Sequence, residues 1–141
     1  MRALIIEDNG LLSWRLEELL TDLRYDIIET AKSDLEAVRL ASLNCPDLIL
    51  ADCHLVDGSG VEAVREICAG QAIATVLATG DAQGVRPLVD NAVIAPKPVS
   101  DHEIVGAIEQ AKSRPLSFPE LRSGTMCVRY GWKADVAVEQ V

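Results

Sequence analysis

Aromatic side chains are nearly missing from this sequence: one Phe, two Tyr and two Trp make up 4% of 141 residues. A core therefore has to be built from Leu, Ile, Val and Ala. With 49% hydrophobic residues there is enough of them for one compact domain without disulfides. Such a composition suits the buried strands of a parallel sheet covered by helices on both faces. Cysteine is scarce too. Cys45, Cys53, Cys68 and Cys127 fall at spacings that match no structural zinc pattern, and the adjacent Cys53-His54 pair does not make one. Reduced thiols in a cytoplasmic protein are expected. Neither a signal peptide nor an apolar run of membrane-spanning length is visible. Cations are outnumbered, 13 Lys and Arg against 22 Asp and Glu, for a formal net charge of -9 with no basic run anywhere. A surface this acidic repels phosphate backbones and anionic lipid, which disfavours direct nucleic-acid or membrane-surface binding. Internal repeats and low-complexity stretches are absent.

What the sequence does have is an alternation of short apolar runs and longer helical patterns, the signature of βα units. Ala3-Leu4-Ile5-Ile6 reads as a buried first strand ending in Glu7-Asp8. Leu12, Leu16, Leu19, Leu20 and Leu23 recur at helical spacing after it. Asp26–Glu29 is a short second strand nearer an edge, and Ser33 with Glu36 forms a capping box that opens a second helix. Leu48–Ala51 is a third strand ending on Asp52. The loop Asp57-Gly58-Ser59-Gly60 leads into a third helix through Cys68, and Ile73–Leu77 is a fourth strand stopping at Thr79-Gly80. Gly84, Pro87 and Asn91 then interrupt what should be a fourth helix, so only a short or irregular one is expected. Ala92–Ala95 is the fifth strand, followed by Pro96-Lys97-Pro98. A second capping box, Ser100 with Glu103, opens a last helix whose buried stripe is Ile104, Ala107, Ile108 and Ala111.

Right-handed crossovers turn five such units into a doubly wound parallel sheet, whose ligand crevice lies at the carboxyl ends of the strands. The chemistry-bearing residues fall at those ends. Glu7 and Asp8 follow strand one, Asp52 strand three, Thr79 strand four and Lys97 strand five. Clustered carboxylates repel one another unless a cation lies between them, and an all-oxygen set with room for water suits Mg²⁺ or Mn²⁺ rather than zinc or copper. Beside such an ion one carboxylate can act as nucleophile toward phosphorus. Lys97 would offset charge on the transferring phosphoryl oxygens, and the Thr79 hydroxyl could donate to one of them. Taken singly, each residue has an ordinary reading as a cap, a loop residue or a surface lysine. The argument rests on all five standing at the correct element ends.

Over about Met1 to Ser113 these residues resemble the receiver domain of bacterial response regulators, a flavodoxin-like fold with strand order 2-1-3-4-5. Glu7-Asp8 is similar to that family's metal-binding pair. Asp52, within Ala51–Gly60, is similar to its phosphorylation site and following loop. Thr79 in Leu77-Ala78-Thr79-Gly80 resembles the switch hydroxyl residue, and Lys97-Pro98 the family's lysine with its cis proline bond. The resemblance implies a metal held by Asp8, Asp52 and the backbone carbonyl of His54, with Glu7 acting through water. It also implies that His54 and Asp81 flank the site where receivers tune the lifetime of the phosphoryl group; either is otherwise a solvated loop residue. The implied function is that of a single-domain response regulator taking its phosphoryl group from a histidine kinase or phosphotransfer protein, and catalysing only its own phosphorylation and dephosphorylation. A downstream signalling protein is the expected reader, or the module is a phosphate sink.

Two features depart from the family's commoner pattern. Ile94 stands where many receivers carry an aromatic switch residue, and the Thr79–Lys97 stretch is short. Both are similar to a mainly alphaproteobacterial subgroup with a Phe-Ala-Thr-Gly-type motif, often stand-alone and linked to general stress signalling. In receivers the outer part of the first helix meets the phosphodonor, which makes Leu11, Trp14, Arg15 and Glu18 candidates for kinase recognition; Trp14 is equally readable as a half-buried packing residue. Residues 114–141 are too few for an output domain. They read as a loosely ordered extension, or as an interaction strand around Met126–Trp132.

Three rivals remain. A dehalogenase-type phosphatase needs a second aspartate where His54 stands, and a cap domain for which there is no room. A flavin module needs a Gly- or Ser/Thr-rich phosphate loop where Glu7-Asp8-Asn9 stands. A pseudo-receiver serving only as a binding scaffold is possible but unsupported by the sequence, since every acceptor residue is present.

Overall fold

The computed structural model describes residues 1–89 and 91–119. Its elements follow in the order β1 (Arg2–Ile6), α1 (Gly10–Asp22), β2 (Ile27–Ala31), α2 (Asp34–Leu43), β3 (Leu48–Asp52), α3 (Gly60–Ile67), β4 (Ala74–Thr79), α4 (Ala82–Val85), β5 (Val93–Pro96) and α5 (Asp101–Ser113). The five strands form one parallel sheet in the order β2-β1-β3-β4-β5. β2 lies at one edge, as its weaker apolar pattern suggests. α4 has four residues and passes into a 3-10 turn at Arg86–Leu88, which is the short fourth helix that Gly84 and Pro87 predict. No helix among the described residues is long and apolar enough to cross a membrane.

Alternate side chains of each central strand serve opposite faces. Ala3, Ile5, Leu48, Leu50, Val76 and Ala95 pack with Leu20 of α1 and Ile108 and Ala111 of α5. Leu4, Ile6, Ile49, Ala51 and Leu77 pack with Ala37 and Ala41 of α2 and Val61, Val64 and Ile67 of α3. Because both faces are covered, β1 and β3 read as continuous apolar runs rather than alternations.

The caps are partly as expected. Ser100 and Glu103 form the full reciprocal box at α5. At α2 only half of the box closes. Ser33 Oγ accepts from the Glu36 N–H, but Glu36 Oε1 accepts from Lys32 N–H at 2.8 Å instead of from Ser33. Helix α1 is capped by Asn9, whose Oδ1 accepts from the N–H groups of Leu11 and Leu12.

After Ser113 the chain does not leave the domain at once. Leu116 pairs with Ile73 by two backbone hydrogen bonds of 2.9 and 3.0 Å. The N–H of Phe118 donates to the Cys68 carbonyl at 3.0 Å, and its own carbonyl accepts from Gly70 N–H at 2.8 Å. Leu116 is buried, and Arg65 of α3 lies over the Phe118 ring at 5.1 Å. The first residues of the extension are thus a strap closing the α3–β4 corner. Met126–Trp132 and Cys127 lie outside the described residues. Leu116→Ala is expected to cost about 2–3 kcal/mol, the lower part of the range for truncating a buried leucine. Urea denaturation checks it, and a midpoint equal to the parent's would mean that the strap contributes nothing.

Candidate functional site

The carboxyl ends of β1, β3, β4 and β5 deliver the pieces of the site. β1 runs straight into Glu7 and Asp8, and Glu7 N–H donates to the Ala31 carbonyl of neighbouring β2 at 2.9 Å. Glu7 is buried, and its Oε2 accepts from Asn9 N–H at 3.1 Å. Asn9 therefore caps α1 with its side chain and holds the acidic residue two positions back with its backbone. Asp8 Oδ2 accepts from the N–H of Val56, tying the β1 end to the loop after β3. Asp52 is the last residue of β3 and is 8% exposed. Its Oδ1 accepts from His54 N–H at 3.1 Å, and its Oδ2 is 3.1 Å from the Lys97 ammonium.

Lys97 is brought to that distance by the sheet. Its N–H donates to the carbonyl of Thr79 at 2.8 Å, extending the β4–β5 pairing by one residue, and the Lys97-Pro98 bond is cis. Thr79 is fully buried, and its Oγ1 accepts from Asp81 N–H at 2.9 Å; Asp81 in turn caps α4 through Gly84 N–H. The structure thus brings Glu7, Asp8, Asp52 and Lys97 together, and puts Thr79 at the adjoining strand end. His54 stands at the rim with an exposed side chain, joined to the cluster through its backbone N–H.

One oxygen from each of Glu7, Asp8 and Asp52 lies within 4.8 Å of the others. Three carboxylates this close repel. Burial, and after it the Asp52 and Asp8 charges, raises the Glu7 carboxyl above its usual value, against the Asn9 N–H and Lys97, which lower it. A single ammonium does not balance three carboxylates, and an all-oxygen set of this kind fits a hard divalent cation. Cys53 does not compete as a ligand. It is buried under the site, and burial with the Asp52 charge pushes its thiol up to about 12. Cys68 is likewise pushed up to about 12, mainly by burial. At pH 8, four units below that value, both are neutral thiols with a thiolate fraction of roughly one in 10⁴. Iodoacetamide at pH 8 is therefore expected to leave Cys53 and Cys68 unmodified in the folded protein and to modify both in urea, as peptide mass mapping would show. Rapid labelling without urea would mean that the site opens.

Two site residues carry no chemistry of their own, and the sequence alone gives neither a structural role. Asn9 is one. The other is Gly60, where a Cβ would lie 2.0 Å from the backbone carbonyl oxygen of Asp52. The only sequence signal for it is the pair of glycines that closes the loop after Asp52. Of the four residues singled out on α1, Leu11 and Trp14 are 73% and 58% exposed, Glu18 is exposed, and Arg15 is ion-paired with Asp101.

Known proteins share this fold. The family model of the response regulator receiver domain matches residues 3–109. The transcriptional regulatory protein PdtaR of Mycobacterium tuberculosis is 36% identical over 119 residues, 80% of this chain and 57% of PdtaR. The chain thus spans little more than half the length of that relative. Among solved structures, the receiver domain of PhyR from Erythrobacter litoralis superposes with a TM-score of 0.72 at 28% identity, covering 85% of this chain and 95% of that domain. The receiver domain of a sensor histidine kinase from Pseudomonas aeruginosa PAO1, solved with a magnesium ion coordinated in its active-site cleft, superposes at 0.67 with 25% identity. It covers 79% of this chain and 97% of that one.

Proposed function

Because the chain belongs to the response regulator receiver family, we propose that it accepts a phosphoryl group on Asp52 from a histidine kinase or phosphotransfer protein. The observation that carries this reading is the 3.1 Å approach of Lys97 Nζ to Asp52 Oδ2 inside a cluster of three carboxylates. A nucleophilic carboxylate and a cation for the phosphoryl oxygens stand side by side at the mouth of a cleft. One Asp52 oxygen forms the bond to phosphorus as the bond between phosphorus and the donor's leaving atom breaks with its electron pair. The His54 N–H holds one Asp52 oxygen and Lys97 the other, so the carboxylate is oriented before the donor arrives. Lys97 then offsets the negative charge gathered on the phosphoryl oxygens.

Glu7, Asp8, Asp52 and the backbone carbonyl of His54 are the groups that would hold Mg²⁺ or Mn²⁺. The ion would supply the positive charge that the acidic cluster lacks and that a transferring phosphoryl group requires. Thr79 supplies the readout. Its hydroxyl, now bonded to the Asp81 N–H, would donate to a phosphoryl oxygen instead, drawing the loop from Gly80 into α4 toward the site. A downstream signalling protein reading that loop is the expected partner, and the short α4 with Leu77–Gly80 agrees with the alphaproteobacterial subgroup. No separate substrate is turned over, because the group stays on Asp52 until water removes it.

Incubation of the purified protein with Mg²⁺ and acetyl phosphate, followed by intact mass, tests the reading. One phosphoryl adduct is expected on the parent, and none on Asp52→Asn or in EDTA. A folded parent that gains no adduct from acetyl phosphate, nor from a histidine kinase, would make the chain a pseudo-receiver used as a binding scaffold.

A further inference from the structure

The segment that carries Lys97 is poorly supported from below. Between α1 and α5, on the sheet face that leads up to Asp52, lies a cavity of about 420 Å³. Its walls are largely aliphatic, with Leu12 and Leu16 of α1 facing Val76 and Ala95 of the sheet and Val99 and Ile104 at the start of α5. The cleft is half open to solvent and reaches Asp52 and Lys97, and Pro98 and Val99 line it, so the turn is not packed on that side. Lys97 keeps its strand bond to Thr79, but the turn that follows is not held the same way.

One side chain spans the gap. Arg15 on α1 directs both Nε and Nη2 at Asp101 Oδ1, at 3.0 and 2.7 Å, and Nη2 also reaches the Val99 carbonyl at 3.5 Å. Asp101 is the first residue of α5, and Val99 is two residues after Lys97. The contact joins elements 86 residues apart at the rim of the cavity. Both partners are about half exposed, so this pair adds little to global stability. It meets the chain two residues after Lys97, so any effect it has is local to that turn.

We propose that Arg15 is a positioning residue for phosphoryl transfer: by tying Asp101 and Val99 to α1 across the cavity, it holds Lys97 against Asp52. The proposal rests on the phosphoacceptor reading above. It gives Arg15 a role that needs no docked kinase, so a small phosphodonor reveals it.

The test compares parent, Arg15→Met, Asp101→Asn and the exchanged pair Arg15→Asp with Asp101→Arg. Two quantities are measured: the rate of phosphoryl incorporation from acetyl phosphate with Mg²⁺, and amide hydrogen exchange. Each single variant is expected to be about ten-fold slower, within the ~10²-fold that misplacing a reacting group by an ångström costs. The Lys97 amide should exchange faster in the same variants while β1 and β3 amides keep the parent's rates. The exchanged pair should recover most of both. Single variants that match the parent's rate would overturn the proposal, as would slowing accompanied by faster exchange throughout the sheet, which would mark a general structural role. A parent that takes no phosphoryl group would instead bring down the phosphoacceptor reading, which keeps the two failures apart.

Discussion

Gly60→Ala is expected to destabilise the domain by about 3 kcal/mol or more, the upper part of the range for forcing extra volume into a packed site. An alanine Cβ there would stand 2.0 Å from the Asp52 carbonyl oxygen, 2.9 Å from its carbonyl carbon and 3.4 Å from Cys53 Cα. All three are backbone atoms, so no flexible side chain can move aside. The carbonyl in question belongs to the residue proposed to accept the phosphoryl group, and Gly60 N–H is itself bonded to the Cys53 carbonyl at 3.2 Å. Relief therefore has to come from shifting β3 or the start of α3. Urea denaturation measures the loss, and Gly106→Ala is the control. Gly106 lies inside α5 with nothing within 4 Å of its would-be Cβ, so alanine there should stabilise by about 0.5–1 kcal/mol through helix propensity. If both substitutions shifted the midpoint alike, close approach at Gly60 would not be what selects glycine.

Lys97→Met is expected to slow phosphoryl incorporation from acetyl phosphate by roughly 10²-fold, the usual effect of removing one preorganised charge-stabilising group. Methionine keeps the length of the side chain and removes the ammonium, so the three carboxylates lose the one cation the structure brings within 3.1 Å of Asp52. The variant should also need more Mg²⁺ for the same fraction of phosphorylated protein. Added Mg²⁺ should stabilise both proteins, because a ligand at free concentration L that binds only the folded chain adds RT ln(1 + L/Kd) to its stability. A rate unchanged at saturating Mg²⁺ would restrict Lys97 to holding the resting carboxylate.

Much of this molecule was legible from its sequence because the information is local. β1 and β3 announce themselves as unbroken apolar runs, β1 leading directly into Glu7-Asp8 and β3 ending on Asp52, so element identity and candidate site residues come from the same few positions. The punctuation at Gly84 and Pro87 sufficed to shorten α4. What was not legible is what depends on partners far along the chain. Arg15 reads as one charge on a helix surface, and nothing near it indicates Asp101. Leu116 and Phe118 alternate with a serine as a strand would, but their partners Ile73 and Ala69 offer only single bridges. The box at Ser33 shifted by one because Glu36 found the N–H of Lys32 within reach, a choice that spacing alone cannot separate from the usual one. Gly60 is the sharpest case. Its role is set by how closely α3 starts behind Asp52, a tertiary distance.

The strap also gives the module a polarity. By pairing with the α3–β4 corner it delivers Pro119 to a hollow of the α2–α3 face, beside Leu35 and Glu66. Arg15, the cavity and the Lys97 turn belong to the α1–α5 face, on the far side of the sheet. A fluorophore attached at Pro119 itself therefore sits on the face of the sheet opposite the Arg15–Asp101 contact.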